Sequence, residues 1–342
     1  LLLLLRTPLL TALGAQADTV QYARDYYTWI AVGAPFIILS FTPCNQLRTE
    51  GFANASMIGS VLGAVVNIVL DPVLIFGCKL GAAGAAIATV IGYVFTDLYY
   101  VWFLIRRSRH LSVNIRLLRV SRQEVGQVFA IGIPASITNI AQSFCVLITN
   151  RFLVPYGTDK VAAMGIALKV SMIAVLVLIG FAFGVQPLVG YNYGAQNYRR
   201  LRQVLRFSYQ FTIGLGLVLT VIVFAAAPLL IRLFMQDGSV YELGVAMLRR
   251  LLLGTAFYAF TLVTTCVFQA TGKAVGAFVL SISGQGVIYG LVIWALSSIW
   301  GYDGVIVTQP VADVLTCLLA VVLYFTSLHR AIRKGVAEQR EP

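Results

Sequence analysis

Charge is what this sequence lacks. Asp, Glu, Lys and Arg make up 11% of its 342 residues, hydrophobic residues make up 59%, and the mean hydropathy is +0.86. A water-soluble fold of this length would need far more charge to cover its surface, so that class is excluded. Histidine is nearly absent: His110 and His329, at predicted helix ends, are the only two. The five cysteines, Cys44, Cys78, Cys145, Cys266 and Cys317, are scattered with no CxxC or Cys/His spacing. That pattern excludes a structural zinc site and a disulfide framework. No HExxH and no nucleophile–base pairing can be read, so no enzymatic chemistry, no cofactor and no metal other than Na⁺ is expected.

What is present is long apolar runs. Runs of about 20 such residues mark membrane-spanning helices. They fall near 26–47, 54–77, 84–105, 125–150, 161–184, 207–231, 248–268, 276–299 and 305–328. Their length excludes the short alternating strands of a membrane β-barrel. The expected fold class is therefore all-α, a polytopic membrane protein. Residues 1–13 read as the tail of one more helix, since LLLLLR has neither a basic n-region nor an initiator Met to make a signal peptide.

The net charge of +12 invites a nucleic-acid reading, but the placement of the charges opposes it. If 111–124 is cytoplasmic, sixteen of the 25 basic residues lie inside. They are Arg48, the six arginines from Arg106 to Arg122, Arg199, Arg200, Arg202, Arg206, Lys273, Arg330, Arg333, Lys334 and Arg340. Asp18, Asp25, Asp159, Asp237, Glu242 and Asp303 fall at the opposite ends. This is the positive-inside pattern, so the basic excess reads as topology and no nucleic-acid partner is expected.

Laid over itself with a shift of about 220 residues, the chain matches. Pro8-Leu9-Leu10 falls on Pro228-Leu229-Leu230, Gly81 on Gly301 and Gly84 on Gly304. One residue further, Gly33 meets Gly254, Gly51 meets Gly272 and Ser60 meets Ser281. The stretch 123–220 has no counterpart upstream, which predicts that about 100 residues precede Leu1 in the complete repeat. The expected plan is two pseudo-symmetric six-helix bundles, about twelve helices in all, the first two absent from this chain. Residues 1–105 would form the N-terminal bundle (the rest of helix 3 and helices 4–6). Residues 106–123 would be a cytoplasmic basic linker, 124–328 the C-terminal bundle (helices 7–12) and 329–342 a cytoplasmic tail.

LDPVLIFG (70–77) and LGAAGAAIATVIG (80–92) resemble the fifth and sixth helices of the multidrug and toxic compound extrusion (MATE) family. GVQPLVGYNYGAQNYRRLRQ (184–203) is similar to the end of the eighth helix and its following loop in bacterial members. GIPASITNIAQ (132–142) fits the seventh. The resemblance covers essentially the whole chain. It implies a cation-coupled antiporter that expels drugs, organic cations or metabolites by alternating access, with H⁺ or Na⁺ as coupling ion. The alternative is a lipid-linked oligosaccharide flippase of related fold, which would need a strongly cationic central cavity.

An acid near the bilayer centre costs on the order of 3 kcal/mol and is a candidate functional site by default. Asp71 is such an acid. Asn67, four residues earlier, shares its helix face, and Pro72 removes a backbone donor and is expected to kink the helix. Thr89 is expected at the depth of Asp71 on the antiparallel neighbour, drawn close by the small residues of GAAGAA. Carboxylate, amide oxygen, hydroxyl and freed carbonyl are ligands for a proton or Na⁺. In the MATE family the matching Asn, Asp and Thr contribute to a cation site, completed by an acid on the first helix. The alternative reading is that Asn67 and Asp71 only satisfy one another at a kink.

In the second half Gln142, Lys169 and Asp313 share a depth. A buried Lys and a buried Asp at one level are expected to pair, with Gln142 near them, lining a cavity for substrate. A purely structural ion pair is the competing reading. Gln142 stands where some MATE members carry a cation-binding Glu, so coupling is expected to rest on Asp71. Asp97 is read as structural, and the GxxxG spacings at Gly59/Gly63, Gly180/Gly184 and Gly272/Gly276 as close helix contacts. The expected partners are a lipophilic or cationic small molecule and membrane lipids, with the protein a monomer in the cell membrane.

Overall fold

The structure is a computed structural model, and it describes residue 6 and residues 20–108, 121–235 and 238–329. Most of 1–13, residues 109–120 of the basic linker and all but the first residue of the tail lie outside the described residues. Among the described residues the chain is helical throughout, a polytopic all-α membrane protein. Seven helices are long and apolar enough to cross a bilayer, and a bent pair makes up to eight. The chain divides into two compact units, Leu1–Arg119 and Val120–Pro342.

The first unit contains α1 (Val20–Thr49), α2 (Ala53–Pro72) and α3 (Gly81–Arg107). Its second helix does not stop at Pro72. The chain widens into a π turn, Val73–Gly77, closed by the Cys78 N–H on the Val73 carbonyl at 2.9 Å. The expected kink is thus a loosened turn within one 25-residue span. Side chains facing outward, among them Ile38, Phe41, Ile68, Phe76 and Ile105, are large, apolar and exposed, as a lipid-facing surface requires.

The second unit contains α4 (Arg122–Leu153), α5 (Thr158–Gly194), α6 (Tyr198–Arg232), α7 (Gly238–Leu252), α8 (Thr255–Ala270), α9 (Ala274–Ile282), α10 (Tyr289–Trp300) and α11 (Tyr302–Leu323). Ser121 and Glu124 close a capping box at the start of α4. Two sequence expectations need correction. The run 248–268 is broken at Leu253–Gly254, where α7 and α8 meet with a 48° bend. The Leu252 carbonyl at that break accepts from Thr220 Oγ1 at 3.3 Å. The run 161–184 also ends too early: α5 runs on to Gly194, and only Ala195–Asn197 separates it from α6. Asn197 makes so short a turn workable by accepting the Arg200 N–H at 3.1 Å, as an N-cap.

The sequence repeat is present in the backbone. Between α1 and α2, Gly51 takes φ +86° and the Phe52 N–H reaches back to the Leu47 carbonyl at 2.8 Å. Between α8 and α9, Gly272 takes φ +70° and the Lys273 N–H reaches the Phe268 carbonyl at 2.9 Å. Both are Schellman closures, which need a left-handed residue and therefore favour glycine. Helix contacts repeat as well. A Cβ on Gly63 would lie 2.7 Å from the Gly92 carbonyl oxygen and would also strike Thr96; one on Gly284 would meet Thr316 Cγ2 at 2.9 Å. A Cβ on Gly84 would meet the Leu74 carbonyl at 2.8 Å, and one on Gly304 would strike the carbonyl of Leu296.

The GxxxG readings divide. Gly59 and Gly63 lie under Tyr100 and Thr96, and Gly276 lies under Phe268, but nothing stands within 4 Å of a Cβ on Gly180 or Gly184. Substitutions should separate the two kinds. Gly63→Ala must push two backbones apart and is expected to destabilise by about 1–3 kcal/mol. Gly180→Ala removes only backbone freedom and is expected to stabilise by up to about 1 kcal/mol. Thermal unfolding in one detergent reads both signs.

Candidate functional site

In the first unit the close α2–α3 crossing decides what meets. Thr96 on α3 shares its hydroxyl proton between the Gly59 carbonyl across the contact, at 3.2 Å, and its own Gly92 carbonyl, at 3.1 Å. With that register fixed, Asn67 lies opposite Thr89. Asn67 Nδ2 donates to Asp71 Oδ1 at 3.4 Å and to Thr89 Oγ1 at 3.4 Å. The Thr89 proton goes to the Ala85 carbonyl at 2.9 Å, which leaves oxygen lone pairs facing the amide. The three predicted residues are therefore brought together.

Both contacts of Asn67 are longer than the usual N–H···O distance of about 2.9 Å, so the cluster is loosely closed. Turning the amide over would set its oxygen beside the Asp71 carboxylate and the Thr89 hydroxyl, giving three oxygen ligands for a small cation. Asn67 and Thr89 also line a cavity of about 360 Å³ with Ser60, Tyr93 and Tyr100. Asp71 stands one turn beyond Asn67. No Lys or Arg lines this cavity.

In the second unit Gln142, Lys169 and Asp313 all line one cavity of about 400 Å³, as their common depth predicts. The expected Lys169–Asp313 ion pair is absent: no N···O approach within 4.0 Å joins them, and the one ion pair among the described residues is Arg250–Asp303. Asp313 is held elsewhere. Gln309, one turn earlier on α11, donates Nε2 to Asp313 Oδ1 at 3.0 Å. The other side of the carboxyl lies against Gly254, whose Cβ, if present, would meet Asp313 Cβ at 3.2 Å. Gly254 is the N-cap of α8 and supplies no side chain to cap it. A carboxylate there sits in the positive end of the helix dipole. That position draws Asp313 away from Lys169.

Sequence reasoning missed Gln309, Gly254, Tyr258, Gln285 and Tyr289, all at or beside this cavity. One signal was available: Gln309 and Asp313 repeat the four-residue amide–carboxylate spacing of Asn67 and Asp71. Gln285 lies in a π turn, Ser283–Ile288, whose position no periodicity marks. Asp97, read as structural, has both carboxylate oxygens buried without a hydrogen-bond partner. All five cysteines are free, and no cluster of metal-binding side chains occurs among the described residues.

Membrane-crossing helices gathered around polar-lined cavities are the architecture of a membrane transporter. The MatE family model matches residues 1–73 and 134–294. The multidrug export protein MepA of Staphylococcus aureus (strain MRSA252) is 32% identical over 314 residues, covering 92% of this chain and 69% of that protein. MepA of Staphylococcus saprophyticus is 28% identical over 313 residues, with the same coverage. Among solved structures, MATE in the straight conformation superposes with a TM-score of 0.90 at 23% identity, over 97% of this chain and 75% of that one. A MOP superfamily transporter from Pyrococcus furiosus gives 0.89 at 24% identity, over 97% and 75%. The chain belongs to the MatE family, a family of transporters.

The unpartnered Asp97 carries a stability prediction. Asp97→Asn keeps the side-chain shape and removes a buried charge that no donor serves, so it is expected to stabilise by about 1 kcal/mol. A fall in melting temperature would mean that the carboxylate has a role this structure does not account for.

Proposed function

We propose that the protein is a cation-coupled antiporter that exports drugs, organic cations or metabolites across a bacterial plasma membrane by alternating access. The observation that carries this reading is the loosely closed Asn67–Asp71–Thr89 cluster at the edge of the first cavity. A carboxylate in a membrane span with an amide and a hydroxyl beside it is a cation or proton site that can be filled and emptied. The multidrug export activity named for the Staphylococcus relatives supports the substrate class.

H⁺ or Na⁺ arriving at Asp71 would draw Asn67 and Thr89 inward. The π turn after Pro72 offers a loosened stretch of helix where α2 can bend, so that closing the ion site alters the first cavity next to it. Substrate-bound and cation-bound states would then exclude one another, which is antiport. In this reading residues 1–105 and 124–328 are the two bundles, 106–123 and 329–342 face the cytoplasm, and the protein works as a monomer. A flippase for lipid-linked oligosaccharides would need several cations for a pyrophosphate, and among the described residues Lys169 is the single Lys or Arg lining either cavity.

The test is efflux from proteoliposomes driven by an imposed pH or Na⁺ gradient. Asp71→Asn is expected to abolish gradient-driven export while leaving the protein folded. Asn67→Ala is expected to lower it by about tenfold or more, since one ligand is lost. Undiminished export by the Asp71→Asn variant overturns the mechanism.

A further inference from the structure

The second cavity holds a cation that forms no ion pair among the described residues. Lys169 opens onto it with an exposed side chain, and among the described residues it makes no hydrogen bond or ion pair. The acid on the same wall, Asp313, is committed to Gln309 and to the start of α8. A second group there is also unsatisfied. Gln285 Oε1 is buried with no hydrogen-bond partner. Its residue is pinned in the π turn, because its backbone carbonyl accepts from Cys145 Sγ at 2.6 Å. The rest of the wall is mainly apolar and aromatic, with Leu168, Met172, Tyr258 and Tyr289, and also carries Gln142, Ser171 and Thr255. The Tyr289 hydroxyl is already taken by Thr149.

An ammonium without a counter-ion in a largely apolar, bilayer-embedded wall is a site waiting for a negative charge. A buried acceptor without a donor beside it wants an N–H or O–H. We infer that the second cavity binds a small apolar or aromatic organic anion, its carboxylate on Lys169 and an N–H or O–H of the ligand on Gln285 Oε1. This deepens the antiporter reading by naming a substrate class for the cavity, and it reverses for this cavity the cationic preference expected from the sequence. The first cavity has no basic residue, so the two would differ in the charge they accept.

Binding of dansylglycine to the protein in lipid nanodiscs tests the assignment. The probe is a fluorescent carboxylate with a sulfonamide N–H, and dansylcadaverine carries the same fluorophore on an amine. Lys169→Gln is expected to weaken dansylglycine by about tenfold or more while dansylcadaverine changes by less than about twofold. Lys169→Arg keeps the charge and is expected to retain most of the binding; Gln285→Leu is expected to weaken it several-fold. Dansylglycine that fails to bind the unaltered protein, or binds the Lys169→Gln variant equally well, overturns the assignment. Because binding is read without a gradient, it stands or falls apart from the Asp71 efflux test.

Discussion

Inside a bilayer no water is present to serve a stray hydroxyl or amide, so a polar side chain between two helices must come close enough to find its partner on one of them. In this protein that requirement is met at glycines. Gly63 lets α2 lie against α3 until Thr96 reaches the Gly59 carbonyl. Gly284 lets the corresponding π turn lie against Thr316. These contacts fix helix register to within a residue, and everything at the sites follows from register. A slip of one position on α2 would rotate Asn67 by about 100° away from Thr89. The Asn67–Asp71–Thr89 cluster is therefore a consequence of packing several residues away from it.

The two embedded carboxylates show how similar local patterns reach different ends. Asp71 and Asp313 each follow an amide by four residues and each accept from it. At Asp71 the bond is long, and the amide is shared with Thr89 on the neighbouring helix. At Asp313 the bond is shorter, and the carboxyl is packed on the break that begins α8. A loosely held carboxylate can exchange a proton or an ion with little rearrangement. A carboxylate balanced by a helix terminus and a fixed amide is better suited to hold a helix break in place. The consequence for Lys169 is that the acid lining its own cavity forms no ion pair with it.

Eight of the nine apolar segments read from the sequence each fall on one continuous helical stretch, because apolar length is a property of a single segment; the ninth, 248–268, crosses the break between α7 and α8. Asn67, Asp71 and Thr89 were legible for a related reason: two share a helix face at four-residue spacing, and the third is one short loop away. The errors came from distance in the chain. That Asp313 would turn toward Gly254 instead of Lys169 depends on where α7 breaks, and no hydropathy pattern marks a break between two apolar helices. The π turns at 73–77 and 283–288 are similarly silent, since one extra residue in a turn leaves composition unchanged. The GxxxG spacing at Gly180/Gly184 misled because a stripe of small residues permits close approach without supplying the neighbour.

The repeat separates scaffold from site. Residues that make the shared turns and contacts recur at a shift of about 220: Gly51 and Gly272, Gly63 and Gly284, Gly84 and Gly304, Thr96 and Thr316. Several of the polar residues at the cavities and the ion cluster do not. Thr89 corresponds to Gln309, Tyr93 to Asp313, and Asp71 has an apolar residue, Val292, at its counterpart position. A glycine held against a backbone cannot change without moving two helices, whereas a side chain on a cavity wall can change charge without moving either. One arrangement of helices can thus carry, among the described residues, an acid next to a cavity that no lysine or arginine lines in one unit, and an unpaired lysine in the other. An exchanger that handles an inorganic cation and an organic molecule gains from that freedom, because the two ligands then compete through helix movement instead of through one shared pocket.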